Sequence, residues 1–372
     1  MKLTKRMLAL GLALMLVLAA GCSAKDTSWV VQSGEDTVPV GVYLVELMMG
    51  YNDAASQLPT AEDILKESIG ETPAPQYIAD FAKAECGKLL AIRQEFAKRG
   101  LALGPEDEEQ ASTYTDYLYE MGQTFYEANG VAKESVRYIN DTTMMSLAVF
   151  NSVYGEGGER EVSRSELESA FAGQYTRSQY VLYPKVDTTT GMPLTEEEVT
   201  ANKEKAEALY QRAKDGESFP ALIYEVAKEL NPDNAGELEE ETYYDIYLEN
   251  NAGFYPPVYE STIIEAADGE IRFVEDDYYF YILRKLPVLG GDPEKVQNYL
   301  DAILQNTKYD EYMELLTEWS QGIELKYNNA ALAEYSPAKL KMTQEQLGSS
   351  SSESGSEATS GSSEESSAAS EG

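Results

Sequence analysis

The chain has 372 residues, 43% hydrophobic and 25% charged, an ordinary globular balance with length for two domains and a sizeable core. Its formal net charge of -36 would repel a phosphate backbone, so nucleic acid is not an expected partner. The absence of histidine excludes imidazole acid–base chemistry, Ser-His-Asp triads and His-ligated zinc; with only two cysteines, thiolate metal clusters go too, and no cofactor is expected.

In chain order, Lys2, Lys5 and Arg6 form a basic start, and Met7 to Ala20 is an apolar run of 14 residues. That run is too short to cross a hydrocarbon core of roughly 30 Å as a helix, but it fits the hydrophobic region of a secretory signal. Ala19-Ala20-Gly21-Cys22 resembles the lipobox of bacterial lipoproteins, with Ala19 where Leu is commonest. The resemblance implies cleavage before Cys22, lipidation of its sulfur and new amino group, and a place outside the cytoplasm, tethered to the bacterial cell membrane. Each buried acyl CH₂ contributes about 0.8 kcal/mol to such a tether. A plain signal with a chance cysteine is the other reading. Cys86, in the helical pattern "FAKAECGKLLAIRQEF", reads as a small buried core residue.

Residues 22–28 read as a polar linker. A strand is predicted over Trp29–Gln32, a turn over Ser33–Asp36, a short extended piece over Val38–Val40, and a helix from about Gly41 to about Gln57. The segment 59–75 reads as loop with a turn of helix. Apolar spacing predicts a long amphipathic helix over Ile78–Arg99, with Gly100 placed for a left-handed cap. Pro105 and the acids Glu106, Asp107, Glu108 and Glu109 open the next helix, expected to run to about Ala128. Another helix is expected from Lys133 to about Tyr154, and residues 155–161 look like a hinge.

Ser163 and Glu166 have capping-box spacing. "SQYVLYPKV" reads as a strand, Thr195–Ala213 as a helix, and "DGESFPALIYEVAKEL" as a turn and second helix. Residues 231–257 are polar, tyrosine-rich and hard to assign. A short helix over Val258–Ala266 and a hairpin over 268–286 follow. Residues 291–322 read as two helical stretches, and "IELKYNNAAL" as extended. Gly348–Gly372 holds only Gly, Ser, Glu, Ala and Thr and is expected to be disordered.

The order of these parts is similar to the SurA/PrsA-type extracytoplasmic foldases. "WVVQSGEDTVPVGVYLVELMMGY" resembles the family's opening strand–turn–helix. "RQEFAKRGLALGPEDEE" and "ANGVAKESVRYIND" resemble its helical signatures. "AEALYQRAKDGESFPALIYEVAKE", "PPVYESTIIEAADGEI" and "YYFYILRKL" resemble parts of a parvulin-type prolyl isomerase domain. The resemblance implies an α+β fold: a mainly helical chaperone domain completed by a C-terminal helix, with an inserted parvulin-like α/β domain. The implied parts are a signal peptide (1–21), a lipid-anchored linker (22–28), a helical chaperone domain (29–160), a degenerate parvulin-like domain (161–290), a helical segment packing on the chaperone domain (291–340) and a Ser/Glu/Gly tail (341–372).

Parvulins carry histidines in the first and last strands of this domain. Here Tyr180 (or Gln179) and Tyr281 stand there, and Tyr259 replaces the usual Phe. No catalytic residue is therefore assigned. The resemblance implies a membrane-anchored chaperone whose partners are unfolded or newly secreted polypeptides, without efficient isomerase catalysis. An active parvulin-type isomerase, and an envelope scaffold or binding lipoprotein, are the alternatives. The 27 tyrosines give large contact area at low rotamer cost. Candidate client-binding residues are Tyr243, Tyr244, Phe254 and Tyr255, with Met48, Met49, Met144 and Met145 as an adaptable apolar surface; core packing is the alternative for each. The acid runs Glu106–Glu109, Glu196–Glu198 and Glu239–Glu241 lack calcium-loop spacing and read as helix starts or solvated faces.

Overall fold

A computed structural model of the protein describes residues 27–230 and 245–342. It is α+β, the class the sequence implies, and divides into two compact units. One holds the described residues up to Phe150 and from Glu311 onward; the other is Asn151–Asp310.

The first unit opens with the hairpin β1 (Trp29–Ser33) and β2 (Asp36–Pro39), turned at Gly34. α1 (Val40–Gln57) follows directly, with Pro39 at its N-cap, so the strand–turn–helix reading matches the structure. A 3₁₀ turn, Ile64–Lys66, and a minimal hairpin of β3 (Ser68–Ile69) and β4 (Thr72–Pro73) lead into α2 (Ala74–Lys98). α2 ends at Gly100, whose φ of +65° suits a residue without a side chain. Val30, Val31, Val38, Val42, Leu47, Ile78, Cys86 and Leu90 form one core between the hairpin and the two helices. Cys86 is wholly buried, as its place in the helical pattern suggests.

α3 (Pro105–Met121) stops earlier than expected, and α4 (Gln123–Asn129) follows separately. At the break, a Cβ on Gly122 would lie 2.4 Å from the Tyr126 ring, so the chain turns where only glycine fits. α5 (Lys133–Tyr154) agrees with the sequence reading and ends in the second unit.

The second unit carries α6 (Arg164–Gln174), β5 (Tyr175–Pro184), α7 (Glu196–Lys214), α8 (Phe219–Leu230), β6 (Ile246–Glu249), α9 (Pro257–Glu265), β7 (Ile271–Glu275) and β8 (Tyr279–Leu286). α6 and α7 each begin with a capping box, Ser163 with Glu166 and Thr195 with Glu198. The four strands make an antiparallel sheet in the order β6-β5-β8-β7. Phe171 of α6 packs with Val296, Leu300 and Ile303 at the start of α10 (Pro293–Gly322), which is one continuous helix where two were expected.

From Glu311 onward α10 belongs to the first unit, where Tyr312 meets Ser146 at 2.9 Å and Phe150 edge-on. β9 (Lys326–Tyr327) then pairs with β1, giving the sheet order β2-β1-β9. Asn328 donates to the Trp29 carbonyl at 3.0 Å and caps α11 (Asn329–Glu334), in a segment read from sequence as extended. Among the described residues no helix is long and apolar enough to cross a membrane; Met7–Ala20 and Cys22 lie outside them.

Candidate functional site

The site is set by the pleat of β5 and β8. Side chains alternate across a strand, so Val181 and Tyr183 with Phe280 and Ile282 face one way, and Tyr180 and Leu182 with Tyr281 and Leu283 face the other. The first set is covered by Ala206, Leu209, Phe219 and Leu222 of α7 and α8. The second set lies under α9, against Tyr259 and Ile263.

Tyr259 is the hub of that second face and is 2% exposed. Its ring meets Tyr180 edge-on at 5.8 Å and Tyr281 at 6.0 Å, and stacks on Tyr255 at 5.2 Å. The three positions nominated from sequence, Tyr180, Tyr259 and Tyr281, are thus brought together. Tyr279 joins them 5.9 Å from Tyr281. The Tyr259 and Ser178 hydroxyls share a hydrogen bond of 2.9 Å, and the Tyr281 hydroxyl donates to Asp276 at 2.8 Å.

Gln179, the other option for the first-strand position, points to the opposite face of the sheet by the same alternation. Its Nε2 donates to Asp245 at 2.8 Å, and Asp245 also accepts from the Arg177 guanidinium. The pleat separates two neighbours that the sequence leaves as equal choices.

The electrostatics of the tyrosine face oppose proton transfer. Burial pushes the Tyr259 phenol well above its usual range, against a small pull from Ser178. Burial and then the hydrogen bond to Asp276 do the same for Tyr281, and burial raises Tyr255. For Asp276, burial acts upward but is outweighed by hydrogen bonds from the Tyr278 and Tyr279 amides and the Tyr281 hydroxyl, so its carboxylate is held below the ordinary value. These three phenols stay protonated near neutrality and the carboxylate stays ionised. Tyr259 and Tyr281 are buried, so the ring area and hydroxyls open to a polypeptide are those of the half-buried Tyr180, Tyr255 and Tyr279 around them.

The proposed client-binding residues are dispersed. Tyr255 is half-buried on Tyr259, while Phe254 beside it is 84% exposed. Asn250 anchors the start of their loop through Thr176 at 2.8 Å and the Gly173 carbonyl at 3.1 Å. Met48 packs against the core of the first unit, and Met49 is exposed on the same helix. Met144 and Met145 are half-buried on α5. Tyr243 and Tyr244 lie outside the described residues. Sequence reasoning missed Ser178 and Asp276. Ser178 carried a usable signal, since it stands two residues before Tyr180 and shares its face. Asp276 is a turn residue and gave none. Among the described residues, no group of three or more carboxylate and thiol side chains is placed to hold a metal ion.

Residues 179–286 match the family of PPIC-type PPIASE domains, a span that takes in β6, β7, β8, the part of β5 from Gln179 onward and the tyrosines of the face. No curated protein sequence matches the chain. Among solved structures, foldase protein PrsA from Lactococcus lactis is 12% identical, covering 82% of this chain and 97% of its own, with a TM-score of 0.34. PrsA from Bacillus subtilis is 13% identical over 69% of this chain and 89% of its own, at 0.31. Foldase protein PrsA from Streptococcus pneumoniae is 13% identical over 72% and 88%, at 0.33.

Proposed function

We propose, from the PPIC-type domain at residues 179–286, that this protein is an extracytoplasmic foldase tethered by lipid on Cys22. It holds unfolded, newly secreted polypeptides, and its parvulin-like face serves as a binding surface without efficient isomerase catalysis. One observation supports this reading above the rest: the face is built from mutually packed tyrosines around Tyr259, in a chain that has no imidazole.

Rotation about a peptide bond meets a barrier of roughly 18–20 kcal/mol. A side chain lowers it by stabilising the twisted amide, for example with a hydrogen bond to the amide nitrogen. The Tyr281 hydroxyl already donates its hydrogen bond to Asp276, and the Tyr259 hydroxyl is tied to buried Ser178. Neither phenol is free to follow that nitrogen. The half-buried rings of Tyr180, Tyr255 and Tyr279 and the exposed Phe254 remain for contact with an extended chain.

The test mixes the mature protein with an unfolded client and follows light scattering. Aggregation should be delayed at stoichiometric amounts, and the delay shortened several-fold by Phe254→Ala with Tyr255→Ala. Absence of any delay at several-fold excess refutes the proposal. A protease-coupled assay on a proline peptide decides the enzymatic alternative: a rate rise lost on Tyr281→Phe makes the protein an isomerase. Cys22→Ala should move the protein from the membrane fraction to the medium.

A further inference from the structure

α3, in the other unit, carries a surface that the foldase reading does not use. The helix meets its own unit along a narrow strip, with Ala111 and Thr115 buried and Leu118 and Tyr119 half-buried. Its outer side leaves Tyr114 51% exposed, Tyr117 56% and Met121 68%. Spacings of three and four residues put these three on one stripe of the helix. The two rings stack with centroids 6.1 Å apart and planes 26° apart, forming a shelf. A shallow hollow continues from the rings along Thr113, Gln110, Glu109 and Glu106.

The helix's own charges are of one sign, with Lys133 and Arg137 of α5 reaching it at Asp116 and at the Glu108 carbonyl. Pro105–Met121 contains six acids and neither Lys nor Arg. Asp107 caps the helix by accepting from the Gly104 amide at 2.8 Å, and Asp116 pairs with Lys133 at 2.5 Å. Glu106 and Glu109 line the hollow itself and are exposed.

We propose that this shelf is a docking surface for a cationic amphipathic polypeptide segment, one with Lys or Arg flanking two or three large apolar side chains. Apolar side chains of the segment leave water against Tyr114, Tyr117 and Met121. Its cations meet Glu106 and Glu109, and can also lie over the tyrosine faces. The same charges exclude other occupants. A second copy would set acid against acid, and an anionic lipid surface would be repelled. Nothing in the proposal depends on the parvulin-like domain.

The experiment measures fluorescence anisotropy of a labelled peptide of Lys, Leu and Phe in amphipathic order, titrated with the mature protein. A second peptide has Glu at every Lys position. The cationic peptide should bind, weaken several-fold when salt rises from about 50 to about 300 mM, and weaken at least tenfold on Tyr114→Ser with Tyr117→Ser. Glu106→Gln with Glu109→Gln should lower affinity and flatten the salt dependence while leaving the rings in place, which separates docking from loss of the helix. The Glu peptide should bind at least tenfold more weakly. Met192→Ser, exposed in the other unit and outside the tyrosine face, should leave this binding unchanged. Equal affinity for both peptides, no loss in the Tyr114→Ser with Tyr117→Ser variant, or loss on Met192→Ser overturns the proposal. So does a dimer in size-exclusion chromatography that Tyr114→Ser dissociates, since the occupant would then be a second copy.

Discussion

Tyr259 shows how much one side chain holds at the centre of the tyrosine face. Tyr259→Phe keeps its ring contacts but leaves the wholly buried Ser178 hydroxyl without its partner, at a cost of about 1–3 kcal/mol. Tyr259→Ala also removes the ring and should cost about 3–5 kcal/mol. Urea denaturation followed by circular dichroism measures both, and equal losses would refute the separate role of the hydroxyl. Glu46 of α1 is the residue with a pH signature. Burial pushes its carboxyl up to about 7, with Glu85 adding to the rise and Lys88 opposing it. A folded value above the unfolded one means that its contribution is full below about pH 4.5 and is lost as pH rises through about 7. Wild type should therefore lose up to about 3 kcal/mol from this group between those limits. Glu46→Gln should lose nothing there, which urea midpoints at pH 5 and pH 8 compare directly. None of this was legible in the sequence. The tyrosine positions were, because each matches a strand or helix motif, but whether Gln179 or Tyr180 faces α9 depends on register, and a shift of one residue reverses the face.

At the scale of elements, the long periodic helices and the Ser163–Glu166 capping box were readable, because their signals are local. The failures have physical reasons. β3 and β4 are two residues each, too short to show alternation. The end of α3 is fixed by the Tyr126 ring lying against Gly122, a contact that spacing does not reveal. α11 forms behind Asn328, whose cap is anchored to Trp29 on β1, far away in sequence. Close approach also governs the start of α1. A Cβ on Gly41 would sit 2.2 Å from the Ser135 hydroxyl oxygen and 2.9 Å from its Cβ, where α5 begins. Gly41→Ala should destabilise by about 1–3 kcal/mol through overpacking. Ser135→Gly in the same chain should recover part of that loss. A double-mutant cycle on thermal denaturation checks this, and simple additivity would argue against the contact. The Ser163 cap gives a smaller expectation: Ser163→Ala should cost about 1 kcal/mol, read from the same melts.

At the scale of the whole molecule, the parvulin-like unit is bounded on both sides in sequence by the other unit. The sequence implied such an insertion, because its last helix resembled a return to the first domain. It did not show the strand β9 that completes the return. Both tryptophans, Trp29 and Trp319, belong to the first unit, so intrinsic tryptophan fluorescence reports that unit separately. Stopping the chain after Gly322 removes β9, the Asn328 cap and buried Ala331. The fluorescence transition in urea should broaden or vanish, while the circular dichroism transition of the other unit persists. An unchanged fluorescence midpoint would show that β9 contributes nothing to the first unit.

The hydrogen bond from Asn328 to Trp29 spans 299 residues. A chain made from its N-terminus presents Trp29 early and Asn328 almost last. The first unit therefore lacks its closing strand until nearly the whole polypeptide exists, while the other unit has all four strands of its sheet before then. The order of synthesis would thus set the order in which the two units mature.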